Sequence, residues 1–320
     1  MNAQGWAEIA LTIAISVALA IPLGLYLARV WTGQSTWLDP VLKPVERVIY
    51  AACGVKPEKG QSWLGYAMSF LAFSAASFVV LYLILRFQNL LPLNPQGFDG
   101  LSPHLAFNTA ISFVSNTNWQ SYVPETTVST FSQMAGLTSH NFLSAAAGIA
   151  VAAALARAFA ANRSDDLGVF WVDLTRISLY VLLPLSLVIA LAYAALGEPQ
   201  SLLASVSAAT VEGGQQTLAL YPTASQEAIK QLGTNGGGIF NANSAHPLEN
   251  PTPLSNFLQL VSILLIPAAL CLTFGEMIGD RRQGWAVLAA MSLIFVPLLI
   301  MTVGMMARPS SPSVRFTALL

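Results

Sequence analysis

The stretch Gly233-Thr-Asn-Gly-Gly-Gly-Ile-Phe-Asn-Ala-Asn-Ser244 lies between two apolar segments of membrane-spanning length. Its polar, glycine-rich composition prevents it from crossing lipid as a helix. Non-helical backbone at membrane depth is tolerated only where protein buries it or where it lines a water-filled cavity. Glycine permits the unusual dihedral angles with which carbonyl oxygens replace the water around an ion. The stretch therefore predicts a cation pathway, and the alternative is a helix-breaking external turn.

A second polar stretch, Ser115-Asn-Thr-Asn-Trp-Gln-Ser-Tyr122, occupies the same kind of position earlier in the chain. An offset of 117 residues, from 117 to 234, aligns Thr117-Asn118 with Thr234-Asn235. Each copy consists of a hydrophobic helix, a short amphipathic segment, a polar loop and another hydrophobic helix. The chain is therefore predicted to be internally repeated.

The short segment before each loop is predicted to enter the membrane and return. One begins at Ser102-Pro103 and the other near Thr223, where Ser or Thr can cap a helix and Pro suits its first position. Their length of about 10 to 12 residues is too short for a crossing, which needs about 20. The carbonyl ends of both helices would then face the loops, and their negative dipole ends would favour a cation.

The composition is that of an integral membrane protein, with 9% charged and 55% hydrophobic residues. We expect an all-α polytopic membrane protein with potassium-channel-like repeats of helix, re-entrant pore loop and helix. The predicted divisions are an additional N-terminal helix at 1–30, repeats at 63–160 and 170–280, and the first helix of a third repeat at 284–306. Six apolar spans are predicted, at 6–27, 64–85, 137–156, 177–196, 257–274 and 285–306. The polar residues Ser139-His140-Asn141 interrupt the start of the third.

Fourteen lysine and arginine residues orient the spans, because cytoplasmic loops carry the excess. Ten of them fall on one side: Arg29, Lys43, Arg47, Lys56, Lys59, Arg157, Arg163, Arg176, Arg281 and Arg282. Four fall on the other: Arg86, Lys230, Arg308 and Arg315. We therefore expect an external N-terminus, cytoplasmic loops at about 30–62 and 157–176, and polar loops that open externally.

Several other functions are disfavoured by the sequence. A net charge of −1 argues against a nucleic-acid partner. The sequence contains neither a phosphate-binding Gly-x-x-x-x-Gly-Lys-Ser/Thr loop nor an Asp-Lys-Thr-Gly-Thr phosphorylation site, so the chain is not expected to be an enzyme by itself. A membrane-embedded enzyme would need a nucleophile or a metal cluster. The two cysteines and three histidines form no such pattern.

The chain resembles the potassium-binding A subunit of Kdp-type potassium-transporting ATPases over most of Met1 to about Gly284. The resemblance rests on long and unusual strings in both repeats. They include the two polar loops, Phe131-Ser-Gln-Met-Ala-Gly-Leu137, Asn141-Phe-Leu-Ser-Ala-Ala146, His246-Pro-Leu-Glu-Asn-Pro251 and Phe274-Gly-Glu-Met-Ile-Gly-Asp-Arg-Arg-Gln-Gly284.

This resemblance implies that each repeat supplies one quarter of a pseudo-fourfold selectivity filter. The implied potassium-binding residues are Asn116, Thr117, Asn118, Thr234, Asn235 and Gly236, and those near the ion path are Gln120, Gly237, Gly238 and Asn243. The subunit would capture external K+ at the bacterial inner membrane and pass it through an intramembrane tunnel. Its implied partners are the P-type ATPase subunit, Kdp B, which hydrolyses ATP, and the Kdp C and Kdp F subunits. No organic cofactor is expected in this chain.

The sequence departs from the family in its extent. Family members carry four repeats, whereas two repeats and one further helix are visible here, and the stretch from Arg308 does not match the family's external loop. We therefore expect a truncated chain that neither binds K+ selectively nor accumulates stably, unless a second polypeptide supplies the other two filter walls.

A secondary cation transporter subunit of the Trk, Ktr or HKT kind is the alternative. Secondary transporters also use repeats and broken helices, but their repeats are often inverted and their central sites often carry an ionisable residue. Here both repeats run in the same direction and neither loop contains a charged residue. These two features favour the channel-like reading.

Overall fold

The computed structural model of the chain describes residues 3–161, 166–203 and 205–306. The arginines at 163, 308 and 315, and the stretch from 308, lie outside the described residues. The helices are α1 (Ala3–Trp31), α2 (Asp39–Cys53), α3 (Trp63–Arg86), α4 (Pro103–Val114), α5 (Ser139–Ala160), α6 (Phe170–Arg176), α7 (Leu183–Ala195), α8 (Thr223–Leu232), α9 (Pro253–Met277) and α10 (Arg281–Met306).

Six helical segments in the described part of the chain are long and apolar enough to cross a membrane. Four of them are α1, α3, α9 and α10. The third crossing joins a π-helical turn (Ser132–Thr138) to α5, and the fourth joins α6 and α7 through another (Ile177–Leu182). Short 3₁₀ turns lie at Gln88–Leu90 and Pro124–Thr126. The predicted all-α polytopic membrane fold is confirmed.

The main hydrophobic core lies where α5 packs among α1, α6 and α9. Small side chains make this close approach possible, because they fill space at the density of protein interiors without forcing the helices apart. The fully buried members are Ala20, Leu27, Ala146, Ala150, Ala153, Phe170, Ile177 and Ala269. The helices α1 and α9 also run together, and Thr273 Oγ1 of α9 donates to the Gly24 carbonyl of α1 at 3.1 Å.

The two short helices α4 and α8 have 12 and 10 residues, as expected. Helix α4 packs against α3 and α5, and α8 packs against α7, α9 and α5. The Ser102 cap is confirmed, since Ser102 Oγ accepts a hydrogen bond from Leu105 N. The second cap was predicted wrongly: Pro222 is the N-cap residue, and Thr223 Oγ1 instead donates backwards to the Leu220 carbonyl at 2.6 Å.

The polar residues at the start of α5 do not interrupt the third crossing. The ring nitrogens of His140 lie 2.7 and 2.9 Å from the carbonyl oxygens of Gly136 and Ser77. Asn141 is fully buried and faces the polar loops. These side chains point into the protein, where they find partners, so lipid does not have to accommodate them.

A two-stranded antiparallel sheet between α7 and α8 was not predicted. Strand β1 (Ser205–Ala209) pairs with β2 (Gln215–Ala219), with Ser205 opposite Ala219 and Ala209 opposite Gln215. Hydropathy misses these strands because they are mostly exposed and contain few large apolar residues.

Two ion pairs with a buried carboxylate, among the described residues, join helices at the end of the bundle away from the polar loops. Asp173 is 2% exposed and accepts two hydrogen bonds of 2.6 Å from the guanidinium of Arg157 and one of 2.9 Å from Tyr66. Glu46 of α2 accepts from Arg176 at 2.9 Å. The Glu46 carboxyl is desolvated, but bonds from Tyr50, Arg176 and Tyr180 lower its pKa overall.

We predict that Asp173→Ala destabilises the protein by about 3 to 5 kcal/mol, because it leaves a largely buried guanidinium without its carboxylate. The control is Asp99→Ala, at an exposed position. The thermal unfolding midpoint of the detergent-purified protein, followed by circular dichroism, measures the effect. Replacing Arg157 with Met in the same chain should recover part of the loss, and equal midpoints for Asp173→Ala and the wild type would contradict the prediction.

Candidate cation-binding site

The two polar loops begin at the C-terminal ends of α4 and α8. Thr117 N donates to the Ser112 carbonyl at 3.0 Å, and Asn235 N donates to the Lys230 carbonyl at 3.3 Å. These bonds pair residue 117 with 235 and residue 112 with 230, which is an offset of 118. The predicted offset of 117 is therefore wrong by one residue. The Thr-Asn dipeptide occurs in both loops, but it lies one residue closer to the end of the short helix in the second loop than in the first.

Strained backbone is concentrated in the same two loops. Of the eight described non-glycine residues with positive φ, six lie there: Asn116, Asn118, Thr234, Asn241, Asn243 and Ser244. At the offset of 118, Asn116 corresponds to Thr234, and Asn118 corresponds to Gly236, whose φ is +80°. A β-branched residue such as Thr234 rarely adopts this conformation. Such strain persists only where the surrounding structure enforces it, which is common at functional sites.

The side chains of the first loop donate hydrogen bonds to the carbonyls of the second. Asn116 Nδ2 donates to Gly233 O at 3.1 Å, Asn118 Nδ2 to Gly236 O at 3.1 Å and Gln120 Nε2 to Gly238 O at 3.0 Å. In the opposite direction, Asn235 Nδ2 donates to Asn116 Oδ1 at 3.1 Å. The predicted residues of the two loops therefore meet in one polar junction.

The carbonyl of Gly236 accepts two hydrogen bonds, from Asn118 Nδ2 and from Asn141 Nδ2 at 3.3 Å. Gly236 is one of the potassium-binding residues that the resemblance implies, but in this structure two amide groups face its carbonyl. The three amide oxygens Asn118 Oδ1, Asn141 Oδ1 and Asn235 Oδ1 are buried and have no hydrogen-bond partner. Unpartnered buried acceptors are costly, and a dehydrated cation is one group that could satisfy them.

The remaining predicted residues surround this junction. Gly237 packs against Asn118, and a Cβ atom on Gly237 would lie 3.4 Å from the Asn118 Cβ. Thr117 is exposed, and its hydroxyl lies 3.0 Å from that of Ser115. A cavity of about 500 Å³ adjoins the second loop, and Thr234, Asn235, Gly236 and Asn243 are among its lining residues.

Four charged residues beside the second loop were missed. Lys230 was assigned to an external flank, but it is 1% exposed within α8 and its Nζ lies 2.7 Å from Glu227 Oε2. Glu249 and Glu198 are also buried. The spacing of Glu227 and Lys230 on one face of a re-entrant helix could have signalled the pair. Glu249 lies in the string His246–Pro251 on which the resemblance rests, but its contacts with two backbone N–H groups and with Lys230 depend on the fold and could not be predicted from the sequence.

The protonation of Glu198 is unusual for a carboxyl group. Burial, together with the nearby charge of Glu227, raises its pKa to about 8. Glu198 Oε1 lies 3.4 Å from Gln259 Nε2, whereas Glu198 Oε2 is buried without a partner among the described residues. At neutral pH this carboxyl is therefore mostly protonated.

Comparison with known proteins identifies the family. The family model described as the potassium-transporting ATPase A subunit matches residues 10–315, which extends beyond the match at Gly284 that the sequence strings suggested. The potassium-transporting ATPase potassium-binding subunit of Beijerinckia indica is 69% identical over 293 residues, and those of Caulobacter sp. K31 and Caulobacter vibrioides are both 59% identical, over 294 and 296 residues.

Each match covers 92% of this chain but only 52% of the relative. The chain thus spans about half the length of the curated relatives it matches. On the strength of the family match and of these identities, the chain belongs to the family of potassium-transporting ATPase A subunits.

Proposed function

We propose that the chain forms part of a potassium-binding, channel-like subunit that captures external K+ for ATP-driven import. The observation that carries this proposal is the junction of the two loops, where strained backbone and three unpartnered amide oxygens come together. Oxygen ligands of this kind replace the hydration shell of K+ in selectivity filters. The candidate ligands are oxygen atoms of the residues that the resemblance implies, which are Asn116, Thr117, Asn118, Thr234, Asn235 and Gly236.

In this proposal two segments of the chain each form one quarter of the filter. They are α3–α4–α5 and α6–α7–α8–α9. In both, a membrane-crossing helix, a short helix and a second membrane-crossing helix follow in that order, and the loops leave the short helices at equivalent backbone positions, although the second segment also contains the β1–β2 hairpin. The remaining two quarters come from sequence that the full-length relatives contain in addition. A filter that surrounds the ion needs all four, because stripping water from K+ without full replacement is unfavourable.

The chemistry of import belongs to partner subunits in this proposal. The captured K+ passes through an intramembrane tunnel to the P-type ATPase subunit, Kdp B, which hydrolyses ATP, and Kdp C and Kdp F complete the complex in the bacterial inner membrane. The names of the relatives support a role within an ATPase.

A secondary cation transporter remains the second candidate because Glu227, Lys230 and Glu249 are buried beside the loop. Transporters of that class often place ionisable residues at the membrane midplane. The two candidates differ in their energy source. Potassium uptake that continues without ATP and follows an imposed proton or sodium gradient would favour the second candidate, and strict dependence on ATP would exclude it.

We predict that Gly236→Asp weakens the preference for K+ over Na+ by about tenfold or more, because it places a carboxylate in a site of neutral oxygen atoms. The substitution is made in the assembled complex, in a full-length A subunit that contains this sequence. Gly236→Ala introduces the same backbone strain at a positive φ but no charge, so it should change the ion preference less than Gly236→Asp does. Gly213→Asp, at a positive-φ glycine with open space around it, is the control. Stimulation of ATP hydrolysis by K+ and by Na+ measures the preference, and native selectivity in Gly236→Asp would refute the filter assignment.

The orientation is also a proposal, with the N-terminus outside and residues 30–62 and 157–176 in the cytoplasm. The proposal rests on the excess of ten basic residues on one side over four on the other. The exposed Cys53, which follows α1 and lies at the end of α2, is a native probe of this orientation, while Cys271 is buried.

We predict that a membrane-impermeant maleimide labels Cys53 in inside-out vesicles but not in intact cells from which the outer membrane barrier has been removed. The loop of residues 30–62 carries four basic residues and directly follows Arg29, which favours retention in the cytoplasm. Cys53→Ser should abolish the label in both preparations. Labelling of Cys53 from the outside would reverse the proposed orientation.

A further inference from the structure

The carboxylate of Glu249 holds the backbone of the second loop at two points. Glu249 Oε1 accepts a hydrogen bond from Ile239 N at 2.9 Å, and Oε2 accepts one from Ser244 N at 3.1 Å. The side chain is 1% exposed. One carboxylate therefore closes residues 239–244 into a fixed turn directly after the glycines of the loop. Hydrogen bonds to an ionised acceptor are roughly twice as strong as neutral ones.

A buried ammonium connects this carboxylate to the short helix. Lys230 Nζ lies 2.7 Å from Glu227 Oε2 and 3.8 Å from Glu249 Oε1. Glu227 Oε1 in turn accepts hydrogen bonds from Ser244 Oγ at 2.6 Å and from Gln231 Nε2 at 2.7 Å. We call Glu227, Lys230 and Glu249 the charge network. It ties both ends of the 239–244 turn to helix α8.

The charge network also touches the glycines. A Cβ atom on Gly238 would lie 2.5 Å from Glu249 Oε1 and 3.1 Å from Lys230 Nζ. Because Gly238, the last of the three consecutive glycines, has no side chain, these two groups can occupy the space beside it. On its other side, the Gly238 carbonyl accepts the bond from Gln120 of the first loop. A shift of Glu249 would therefore be transmitted to the contact between the loops.

The first loop has no comparable network at the corresponding positions. At the offset of 118, Lys230 corresponds to Ser112 and Glu227 corresponds to Thr109. Ser112 Oγ accepts a hydrogen bond from Trp119 N at 2.6 Å, so a neutral hydroxyl braces that loop. Burying three charges is costly even when they are paired. Because the three charged groups lie behind the second loop, whereas a hydroxyl braces the first, we expect the charged groups to have a function that a hydroxyl cannot perform.

We infer that Glu249, held in place by Lys230, is a positioning residue that sets potassium selectivity by fixing the backbone of the second loop. Both carboxylate oxygens are engaged with backbone N–H groups, so Glu249 acts through the loop rather than as an ion ligand. The inference rests on the proposed function, since it assigns a role at the same site.

The test is Glu249→Gln in the assembled transporting complex, with a full-length A subunit that contains this sequence. An amide offers one acceptor oxygen where the carboxylate offers two, so one backbone N–H loses its partner. The substitution leaves Lys230 paired with Glu227, and the remaining buried charges are balanced. We expect KM for K+ to rise about tenfold, as for one lost hydrogen bond to a charged group, and Na+ to compete better, while kcat changes little.

Two further variants complete the design. Glu249→Asp keeps the charge but is too short to hold both N–H groups, so its KM should lie between those of the wild type and Glu249→Gln. Glu212→Gln makes the same change at an exposed position in the hairpin turn and should leave KM unaltered. A purely structural role would lower the yield of complex without changing the KM or the ion preference of the molecules that assemble.

The outcomes separate the two proposals. A wild-type complex that prefers K+, together with an unchanged KM and ion preference in Glu249→Gln, would overturn this inference and leave the proposed function standing. A wild-type complex without potassium preference would overturn both. If Glu249→Gln fails to assemble, Ser244→Ala decides, because it removes the hydroxyl that donates to Glu227 and accepts from Gln231 Nε2, and so loosens the tie between the 239–244 turn and helix α8. A twofold to threefold rise in KM is expected, and no change overturns the inference.

Discussion

Every backbone N–H and C=O group of the two loops needs a hydrogen-bond partner, because lipid and dry protein interior supply no water. In this molecule the partners come largely from outside each loop. The side-chain amides of Asn116, Asn118 and Gln120 donate hydrogen bonds to carbonyls of the second loop. Glu249 accepts hydrogen bonds from two backbone N–H groups of the same loop. Neither loop therefore holds its conformation independently. The contacts of α8 with α5 bring the loops within reach of one another.

The direction of these hydrogen bonds determines which buried polar atoms remain without a hydrogen-bond partner. Asn118, Asn141 and Asn235 each donate through Nδ2, which fixes the side chain and leaves Oδ1 buried without a partner. The atoms of these three amide side chains that are left without a partner are therefore all acceptors. Such a site suits a cation and repels an anion. A neutral amide also allows a monovalent ion to leave, whereas a ring of carboxylates would retain divalent ions.

The large-scale architecture is predictable because hydropathy, helix length and capping act locally. These signals find all six crossings and both short helices, with the largest errors at the starts of the third crossing, predicted at 137 and observed at Ser132, and of the fourth, predicted at 177 and observed at Phe170. The supporting contacts depend on long-range geometry. Asn141 lies 95 residues from Gly236, and its role requires knowing that α5 passes beside the second loop. The offset of 118 is likewise fixed by where α4 and α8 end, which a matching dipeptide does not reveal.

The charge network shows why two repeats with the same backbone need not contribute equally. Two carboxyl groups, Glu227 and Glu249, lie beside the single ammonium group of Lys230, and burial raises the pKa of Glu227 and of Glu198. Charges interact more strongly in a low-dielectric interior than in water. The charge network therefore acts on the junction from the side of the second loop, whereas the neutral hydroxyls of Ser112 and Thr109 occupy the corresponding positions behind the first. Selection in such a site combines neutral oxygen ligands with an asymmetric field behind them.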